Sequence, residues 1–420
     1  MLYKGRVLSK VLVLVLCLAM CLQFTACFGA DGTASSKDDL KVGVLLDVNG
    51  KKLEQGKYNK IATEIATEDI NHYLQELGHT KRVKLFIEDT QGDPSIASEK
   101  IKNFKREGIV TVVVQSSAEI QAVLDYAKQN KIILISGSST APSLAKPDNN
   151  LFRFSMNDTK QAKAIIRYAK ETNISNIVLA YRDDIYGNDL KTNIIKFGKE
   201  SKINIEQEVK YSPTETSFAN VVKSIEQNVK QQKSKTSAST TAVVLVSFNE
   251  ANDICKAASG NAALESVRWI GSDGVPAEAS LFKDKESLAF AQKVNFEVCN
   301  PGIDASAISS DFARIPDRIK QLAGTDQTPT AALNYYDAMW VLAQSWLILP
   351  ETSFDLLKHV IPNIARSAKF STNQIGLDEN GDRMWGQYDF LGMKNGKFIK
   401  LAMLQFGDWT TEGQFTRISQ

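Results

Sequence analysis

Continuous apolar runs and segments of helical periodicity alternate along most of the chain. Strands are predicted at residues 41–47, 83–88, 108–114 and 132–135, with helices between them at residues 58–77, 94–106 and 118–129. The alternation restarts after residue 154, with helices predicted at residues 160–170, 189–200 and 218–230 and strands at residues 176–181, 203–209 and 242–248. Strands that are apolar throughout, rather than at every second position, are typical of a parallel sheet with helices on both faces. The pattern therefore predicts two α/β units in tandem.

Two polar segments are predicted to be surface turns. Residues 231–241 (QQKSKTSASTT) are polar and of low complexity, which is typical of a solvated loop. Residues 378–382 (DENGD) carry oxygen-bearing side chains at alternate positions, as calcium-binding loops do, but the glutamate that closes such a loop is missing. We therefore interpret them as a tight hairpin turn in which Gly381 has a positive φ angle.

The N-terminal segment has the pattern of an export signal. Three cations at positions 4, 6 and 10 precede the apolar run 11–22, which is shorter than the ~20 residues that a membrane span needs. Ala26-Cys27 resembles the cleavage site of a bacterial lipoprotein. We therefore predict a signal peptide at residues 1–26, a lipid on Cys27 and a tether at residues 27–37. A soluble exported protein is the alternative.

The composition excludes one class of partner and leaves the state of two cysteines open. The 50 basic and 48 acidic side chains nearly balance, so no basic face is predicted and nucleic acid is not an expected partner. Beyond Cys27 the chain has only Cys255 and Cys299, which do not have a zinc-binding spacing. In an oxidising compartment they could form a disulfide, or they could remain two buried thiols.

Enzymatic motifs are absent from the sequence. It contains no Walker-type phosphate loop, no dinucleotide-binding glycine motif and no G-x-S-x-G nucleophile elbow. The three histidines, His72, His79 and His359, are predicted to lie on the surface, so no base is evident for a serine nucleophile. We therefore expect no catalysis, no cofactor and no resident metal.

A cluster of hydroxyl side chains follows the predicted strand 132–135. The cluster has the sequence SGSST, residues 136–140, and a proline comes two residues later. Ligands of open α/β sheets bind outside the carboxyl ends of the strands, which is where this cluster is expected to lie. Its position favours one wall of a ligand site over a plain turn.

Eight short motifs occur in an order that is typical of one protein family. They are Ala66-x-x-Asp69-Ile70-Asn71, Asp89-Thr90-Gln91-Gly92-Asp93-Pro94, Ile135-Ser136 through Thr140-x-Pro142, Phe152-Arg153-x-x-x-Asn157-Asp158-x-x-Gln161, Tyr186-Gly187, Ile270-Gly271-Ser272-Asp273-Gly274, Tyr336-Asp337-Ala338 and Gly376-Leu377-Asp378-x-Asn380-Gly381-Asp382. With these motifs the chain resembles the type I periplasmic binding proteins, in particular the leucine/isoleucine/valine-binding proteins of ABC importers. The resemblance covers nearly the whole chain after the signal segment.

The resemblance implies an α/β fold of two Rossmann-like lobes with parallel sheets, joined by three crossovers near residues 155, 301 and 349. Lobe 1 would comprise residues 38–155 and 302–348. Lobe 2 would comprise residues 156–301 and 349–420. The ligand would lie in the cleft between the lobes.

The resemblance also implies six ligand-binding residues, which are Ser117, Ser138, Thr140, Tyr186, Phe248 and Asp273. The first three match residues that hold the ligand carboxylate, Ser138 chiefly through its backbone. Tyr186 matches a tyrosine that contacts the amino-acid head group, Asp273 matches the acid that binds the α-ammonium, and Phe248 matches the wall of the second lobe. Neutral donors suit a carboxylate, and a carboxylate suits a desolvated ammonium. Turn and capping roles remain the alternative for the hydroxyl residues and for Asp273.

Two departures from the family pattern concern the ligand. Residues 47–56 (DVNGKKLEQG) carry more charge than the usual Gly-rich turn after the first strand, and a solvated rim loop is favoured over a charged selectivity pocket. Ala331 stands where many relatives have an aromatic residue. Both departures put a strictly aliphatic ligand in doubt.

The sequence therefore predicts an exported, lipid-anchored and monomeric binding protein, located in the periplasm or at the cell surface. It would bind an amino acid, branched-chain or other, or a related small polar solute, and deliver it to an ABC permease. A sensor that presents such a ligand to a signalling receptor is the first alternative. An enzyme on a similar scaffold is the second.

Overall fold

Two β-sheets organise the chain in the computed structural model, which describes residues 39–49, 55–277, 279–303, 310–324, 330–349, 353–367, 369–407 and 412–418. The predicted signal peptide, Cys27 and the tether lie outside the described residues. Within the described ranges, no helix is both long enough and apolar enough to cross a bilayer.

The first sheet contains five parallel strands in the order β2-β1-β3-β4-β5. These strands are β1 (Leu40–Leu46), β2 (Val83–Asp89), β3 (Thr111–Val114), β4 (Ile133–Ser136) and β5 (Leu151–Arg153). The helices α1 (Gln55–Glu76), α2 (Pro94–Arg106) and α3 (Ser117–Gln129) lie between them in the chain. The strand order reverses at β1, which pairs with both β2 and β3, and such a switch point opens a crevice at the carboxyl ends of the strands.

The second sheet contains eight strands in the order β15-β14-β13-β10-β9-β8-β6-β7. Five of them are parallel, namely β6 (Asn176–Arg182), β7 (Asn204–Tyr211), β8 (Thr241–Val246), β9 (Arg268–Gly271) and β10 (Glu297–Gly302). The associated helices are α4 (Asp158–Glu171), α5 (Ile185–Glu200), α6 (Ala219–Lys235), α7 (Ala251–Ala258) and α8 (Lys285–Lys293). An antiparallel meander of β13 (Gly386–Lys394), β14 (Lys397–Phe406) and β15 (Gln414–Arg417) completes the sheet. The predicted α/β fold class is confirmed, and the meander, which makes this sheet mixed, was not predicted.

The chain passes between the two sheets three times. It leaves the first sheet after β5 and returns after β10 to form α9 (Ile315–Ala323), α10 (Thr330–Leu347), α11 (Phe354–Ser367) and the short strands β11 (Lys369–Phe370) and β12 (Asn373–Gln374). It re-enters the second sheet at β13.

The predicted position of the third crossover, near residue 349, is wrong. Leu349, Leu357 and Ile361 lie in the same hydrophobic core as β1 and α1, because the apolar side of α11 packs on α10. Leu377 also belongs to this core. The third crossover therefore comes after Leu377 and before β13.

One of the two predicted surface turns is confirmed and the other is wrong in part. Gly381 has a φ angle of +77°, and Leu377 and Arg383 pair on the two sides of its turn. Residues 231–235, in contrast, extend helix α6, and the side chain of Gln232 is buried. Gln and Lys are good helix formers, so a polar composition alone does not end a helix.

A buried ion pair joins the first crossover to the turn at Gly381. Arg153 Nε and Nη2 each donate to an oxygen of Asp382 at 2.6 Å, and both side chains are almost completely buried. Arg153 Nη1 also donates to the carbonyl oxygen of Ala141 at 2.7 Å. Because a bidentate pair compensates much of the lost hydration, this contact can hold the crossover beside the hydroxyl cluster.

Cys255 and Cys299 are free, buried thiols. They lie in two different hydrophobic cores of the second sheet, one on α7 and the other on β10. Burial raises the pKa of both thiols, so the reactive thiolate form is disfavoured. Of the two alternatives left open by the sequence, the structure has the unpaired one.

Candidate ligand-binding site

A cleft of roughly 1040 Å³, counted with the space open to solvent at its mouth, is lined by residues from both sheets. Its lining includes all six residues that were predicted to bind ligand, namely Ser117, Ser138, Thr140, Tyr186, Phe248 and Asp273. The first three follow β3 or β4 of the first sheet, and the other three follow β6, β8 or β9 of the second. The fold therefore brings the predicted residues together at the carboxyl ends of parallel strands.

Helix α3 directs its N-terminus into the cleft. Ser116 caps the helix: its Oγ accepts from Glu119 N at 3.2 Å, and Glu119 Oε2 accepts from Ser116 N at 2.9 Å. Ser117 is therefore the first helical residue, where N–H groups lack intrahelical acceptors and the helix dipole is positive. This part of the cleft suits an anion such as a carboxylate.

The hydroxyl of Ser117 ties α3 to the hydroxyl cluster. Its Oγ accepts from the backbone N–H groups of Thr140 and Ala141, each at 3.3 Å, and lies 2.9 Å from Ser139 Oγ. The hydroxyl is therefore held in place before a ligand arrives, which reduces the entropy lost on binding.

The hydroxyl of Ser138 is occupied within the protein. It donates to the carbonyl oxygen of Gln115 at 3.0 Å and lies 2.7 Å from Tyr335 Oη. The preceding residue, Gly137, packs so closely on the Tyr335 ring that an added Cβ would lie 2.5 Å from it. The backbone N–H of Ser138 also has a partner, Ser136 Oγ, but at the longer distance of 3.4 Å.

A buried carboxylate that was not among the predicted binding residues contacts the hydroxyl cluster. Thr140 Oγ1 donates to Asp158 Oδ2 at 3.0 Å, and Asp158 N donates to the carbonyl oxygen of Thr140 at 2.9 Å. Asp158 is the first residue of α4 and is fully buried. Because the Thr140 proton is directed to Asp158, a ligand carboxylate would rely on Ser117 and the N-terminus of α3.

Tyr186 and Asp273 face the cleft from the second sheet. The Tyr186 hydroxyl donates to Asp273 Oδ1 at 2.6 Å and lies 2.8 Å from Ser272 Oγ. Tyr186 lies in the first turn of α5, and Gly187 follows it against the carbonyl oxygen of Arg182, where an added Cβ would lie only 2.0 Å away. The close start of α5 therefore positions the tyrosine that orients Asp273.

Asp158 and Asp273 form an acidic pair linked through Gln161. Gln161 Nε2 donates to Asp158 Oδ1 at 2.8 Å, and Gln161 Oε1 accepts from Asp273 N at 3.0 Å. Burial raises the pKa of Asp273 to about 6. Burial, and then the charge of Asp273, raise the pKa of Asp158. Two carboxylates with so little hydration favour either a bound proton or a cationic partner such as an ammonium group.

The family model for the receptor family ligand binding region matches residues 59–396. The chain belongs to this family. An uncharacterised protein of Methanocaldococcus jannaschii is 29% identical in an alignment of 378 residues that covers 85% of this chain and 87% of that protein.

Two solved structures share the fold of this ligand binding region. The leucine binding protein LivK of Thermotoga maritima has a TM-score of 0.73 at 17% identity, over 87% of this chain and 98% of that one. The branched-chain amino acid transporter substrate binding protein LivJ of Streptococcus pneumoniae, in complex with isoleucine, has a TM-score of 0.70 at 19% identity, over 86% of this chain and 100% of that one. The resemblance to type I periplasmic binding proteins is confirmed, and membership of a ligand-binding family agrees with the expectation of no catalysis.

Phe248 forms an apolar wall of the cleft. Its ring stacks on the ring of Tyr186, with centroids 5.0 Å apart and an interplanar angle of 13°. The guanidinium of Arg182 lies 3.9 Å from the Phe248 centroid and forms 2.6 Å ion pairs with Asp184 and Glu250. The charge of Arg182 is therefore compensated within the protein.

Three residues at or beside the cleft had no predicted role in binding. Asp158 and Gln161 were family landmarks without a predicted role in binding, and Gln115 had no assigned role. Gln115 is the first residue after β3, so the rule that ligands bind beyond the carboxyl ends of parallel strands could have found it. No sequence pattern indicates that Asp158 lies beside Thr140, because that contact depends on the path of the first crossover.

The described residues contain no candidate metal site. Within those ranges, no group of three or more His, Cys, Asp or Glu side chains could hold a metal ion. The side chains of His72, His79 and His359 are exposed, as predicted.

Proposed function

We propose that this protein is the extracytoplasmic solute-binding component of an ABC importer and binds an amino acid or a related small polar solute in the cleft. The observation that carries the proposal is the complementary polarity of the two sides of the cleft. The first sheet supplies the N-terminus of α3 and the Ser117 hydroxyl, and the second supplies the Asp158–Asp273 pair. A zwitterionic head group has the matching pair of charges.

The carboxylate of the ligand would bind at the N-terminus of α3. Hydroxyl and N–H donors there can hold an anion by charge-assisted hydrogen bonds without a counter-cation. The ammonium would bind Asp273, whose Oδ1 already accepts from Tyr186. Thr140 then acts indirectly, because its hydroxyl positions Asp158.

Delivery of the ligand to a permease would depend on closure of the cleft around the ligand. Besides the contacts of Thr140 with Asp158, further hydrogen bonds already cross between the halves of the molecule: Gln55 Nε2 donates to the carbonyl oxygen of Asp273 at 3.4 Å, and Ser143 N donates to Asp189 Oδ2 at 2.8 Å. A ligand with contacts on both sides favours the closed state over the open one, and the permease would recognise that state.

Export and lipid attachment at Cys27 complete the proposal, and their support is the N-terminal sequence alone. A monomer tethered to the membrane would have a raised effective concentration near its permease. A sensor that presents the ligand to a signalling receptor is the second candidate, and the description of the matching family as a receptor region favours it.

A thermal unfolding screen tests the proposal. The purified protein is heated with each of the common amino acids, with urea and with short amides. A ligand at 100 times its Kd should add ~2.7 kcal/mol to the free energy of unfolding, which gives a clear rise in melting temperature. We expect at least one α-amino acid to produce this rise.

Two variants test whether the rise in melting temperature comes from binding at the head-group site. Asp273→Asn should abolish it, because the neutral amide cannot compensate an ammonium. Asp125→Asn, at an exposed position of α3, should leave it intact. Stabilisation by amides or urea alone would remove the ammonium role of Asp273, and no stabilisation by any solute would contradict transport of these compounds.

A further inference from the structure

The lining of the cleft outside the head-group site combines apolar side chains, among them Phe248 and Leu391, with neutral polar groups. Among the described lining residues, Asp273 carries the only charge. Five lining residues carry carboxamides, namely Gln55, Gln115, Asn249, Asn300 and Asn334. An aliphatic ligand side chain would bury such groups without offering them a hydrogen bond, and an ionised one would find no counter-ion among the described lining residues.

Gln115 presents a fixed hydrogen-bond donor to this space. It is 3% exposed, and its Oε1 accepts from the backbone N–H of Asp47 at 2.8 Å, which determines the orientation of the amide. The carbonyl oxygen of Gln115 accepts from Ser136 Oγ and Ser138 Oγ, so the residue is held at both ends. Its Nε2 has no partner among the described residues and is not sealed from solvent, so this donor faces the cleft.

Other polar groups of the lining show that the donor of Gln115 is unusual. Asn334 donates to the carbonyl oxygen of Gly137 at 2.9 Å and accepts from Arg383 at 3.0 Å, so both of its amide atoms are occupied. Ser155 also lines the cleft, and its buried Oγ has no partner among the described residues. Gln115 Nε2 and Ser155 Oγ are therefore among the neutral groups of the cleft whose hydrogen-bonding capacity is unused within the described structure.

We infer that the ligand carries a neutral hydrogen-bond acceptor on its side chain and that this acceptor binds Gln115 Nε2. The ligand class is an amino acid with a carboxamide or hydroxyl side chain, such as glutamine, asparagine or a close analogue. A carboxylate side chain is disfavoured, because the described lining residues offer it no cation. The inference rests on the proposed function, since it places the α-carboxylate and α-ammonium as described above.

Isothermal titration of the purified protein with glutamine, leucine and glutamate tests the inference. These three side chains have similar size and differ in polarity and charge. We expect glutamine or asparagine to bind at least about tenfold more tightly than leucine, because a buried donor without a partner penalises the analogue that lacks an acceptor. We expect a similar margin over glutamate, because the described lining residues offer its carboxylate no cation. Tighter binding of leucine, isoleucine or valine would overturn the inference and leave the proposed function standing. If no amino acid binds, the inference falls together with the amino-acid part of the proposed function.

The substitution Gln115→Glu tests whether the preference for glutamine over leucine depends on Gln115 Nε2. The substitution keeps an oxygen for the N–H of Asp47 and replaces the free donor by an acceptor. The ratio of glutamine affinity to leucine affinity should fall by at least about tenfold. Gln121→Glu, at an exposed position of α3, is the matched control and should leave the ratio unchanged. An unchanged ratio in Gln115→Glu overturns the assignment, and the ranking in the unsubstituted protein decides the ligand class even if this variant does not fold.

Discussion

Asp273 sets how a ligand ammonium is bound, and its ionisation should make binding depend on pH. Burial raises the pKa of this carboxyl to about 6, whereas an ammonium ligand requires the charged form. Between pH 7 and pH 5 the charged fraction in the ligand-free protein falls, so we expect the affinity for the ligand to fall by about tenfold. Isothermal titration at several pH values measures the change.

The stability of the ligand-free protein should change in the opposite direction. Because the folded-state pKa of Asp273 is raised, the folded protein holds this proton more tightly than the unfolded chain does. The resulting contribution to the free energy of unfolding is fully present below about pH 4 and is lost as the pH rises through about 6. The pKa of Asp158 shifts in the same direction. Asp273→Asn should remove the part due to Asp273, and identical pH profiles for the two proteins in thermal unfolding would contradict this assignment.

How far single residues could be predicted depends on whether their role is local. Ser117 and Thr140 lie shortly after the ends of two parallel strands. The strand pattern alone predicts that residues in such positions line a ligand site. The contact of Thr140 with Asp158 could not be predicted, because it joins two segments whose approach is fixed by tertiary packing. The free donor of Gln115 likewise depends on the distant N–H of Asp47.

Helix α5 provides a prediction at the scale of an element. Its first turn carries Tyr186, and an added Cβ at Gly187 would lie 2.0 Å from the carbonyl oxygen of Arg182. Gly187→Ala must displace the start of the helix, so we expect a loss of about 1–3 kcal/mol in the free energy of unfolding and weaker ligand binding. Denaturant unfolding and titration measure the two effects.

Gly407→Ala is the matched control for Gly187→Ala. An added Cβ at Gly407 would meet nothing within 4 Å, so this substitution should change neither stability nor affinity appreciably. Equal effects of the two substitutions would show that the start of α5 tolerates a side chain and that Tyr186 is not positioned by this contact.

Hydrophobic periodicity predicts that a helix forms more readily than it predicts which sheet the helix packs on. The amphipathic pattern of α11 indicates one buried face but does not say which sheet it covers, and the third crossover was therefore placed before α11 instead of after Leu377. Seven of the ten parallel strands were predicted, most of them because they are rich in apolar residues, whereas β5, β9 and β10 were not predicted. The meander of β13 to β15 could not, since antiparallel pairing at a sheet edge depends on the register of β13 against β10.

For the whole molecule, the Arg153–Asp382 pair connects the first crossover with the segment that leads to the third. Both side chains are almost fully buried, and Asn157 Nδ2 adds a third donor to Asp382 at 3.0 Å. Asp382→Asn keeps the shape but leaves the Arg153 charge without its counter-ion, and we expect a loss of about 3–5 kcal/mol in the free energy of unfolding, measured by urea denaturation. Asp148→Asn, which breaks the exposed pair with Lys358, should cost far less because water screens that pair. If the two substitutions have equal effects, the crossovers are held by apolar packing and not by this ion pair.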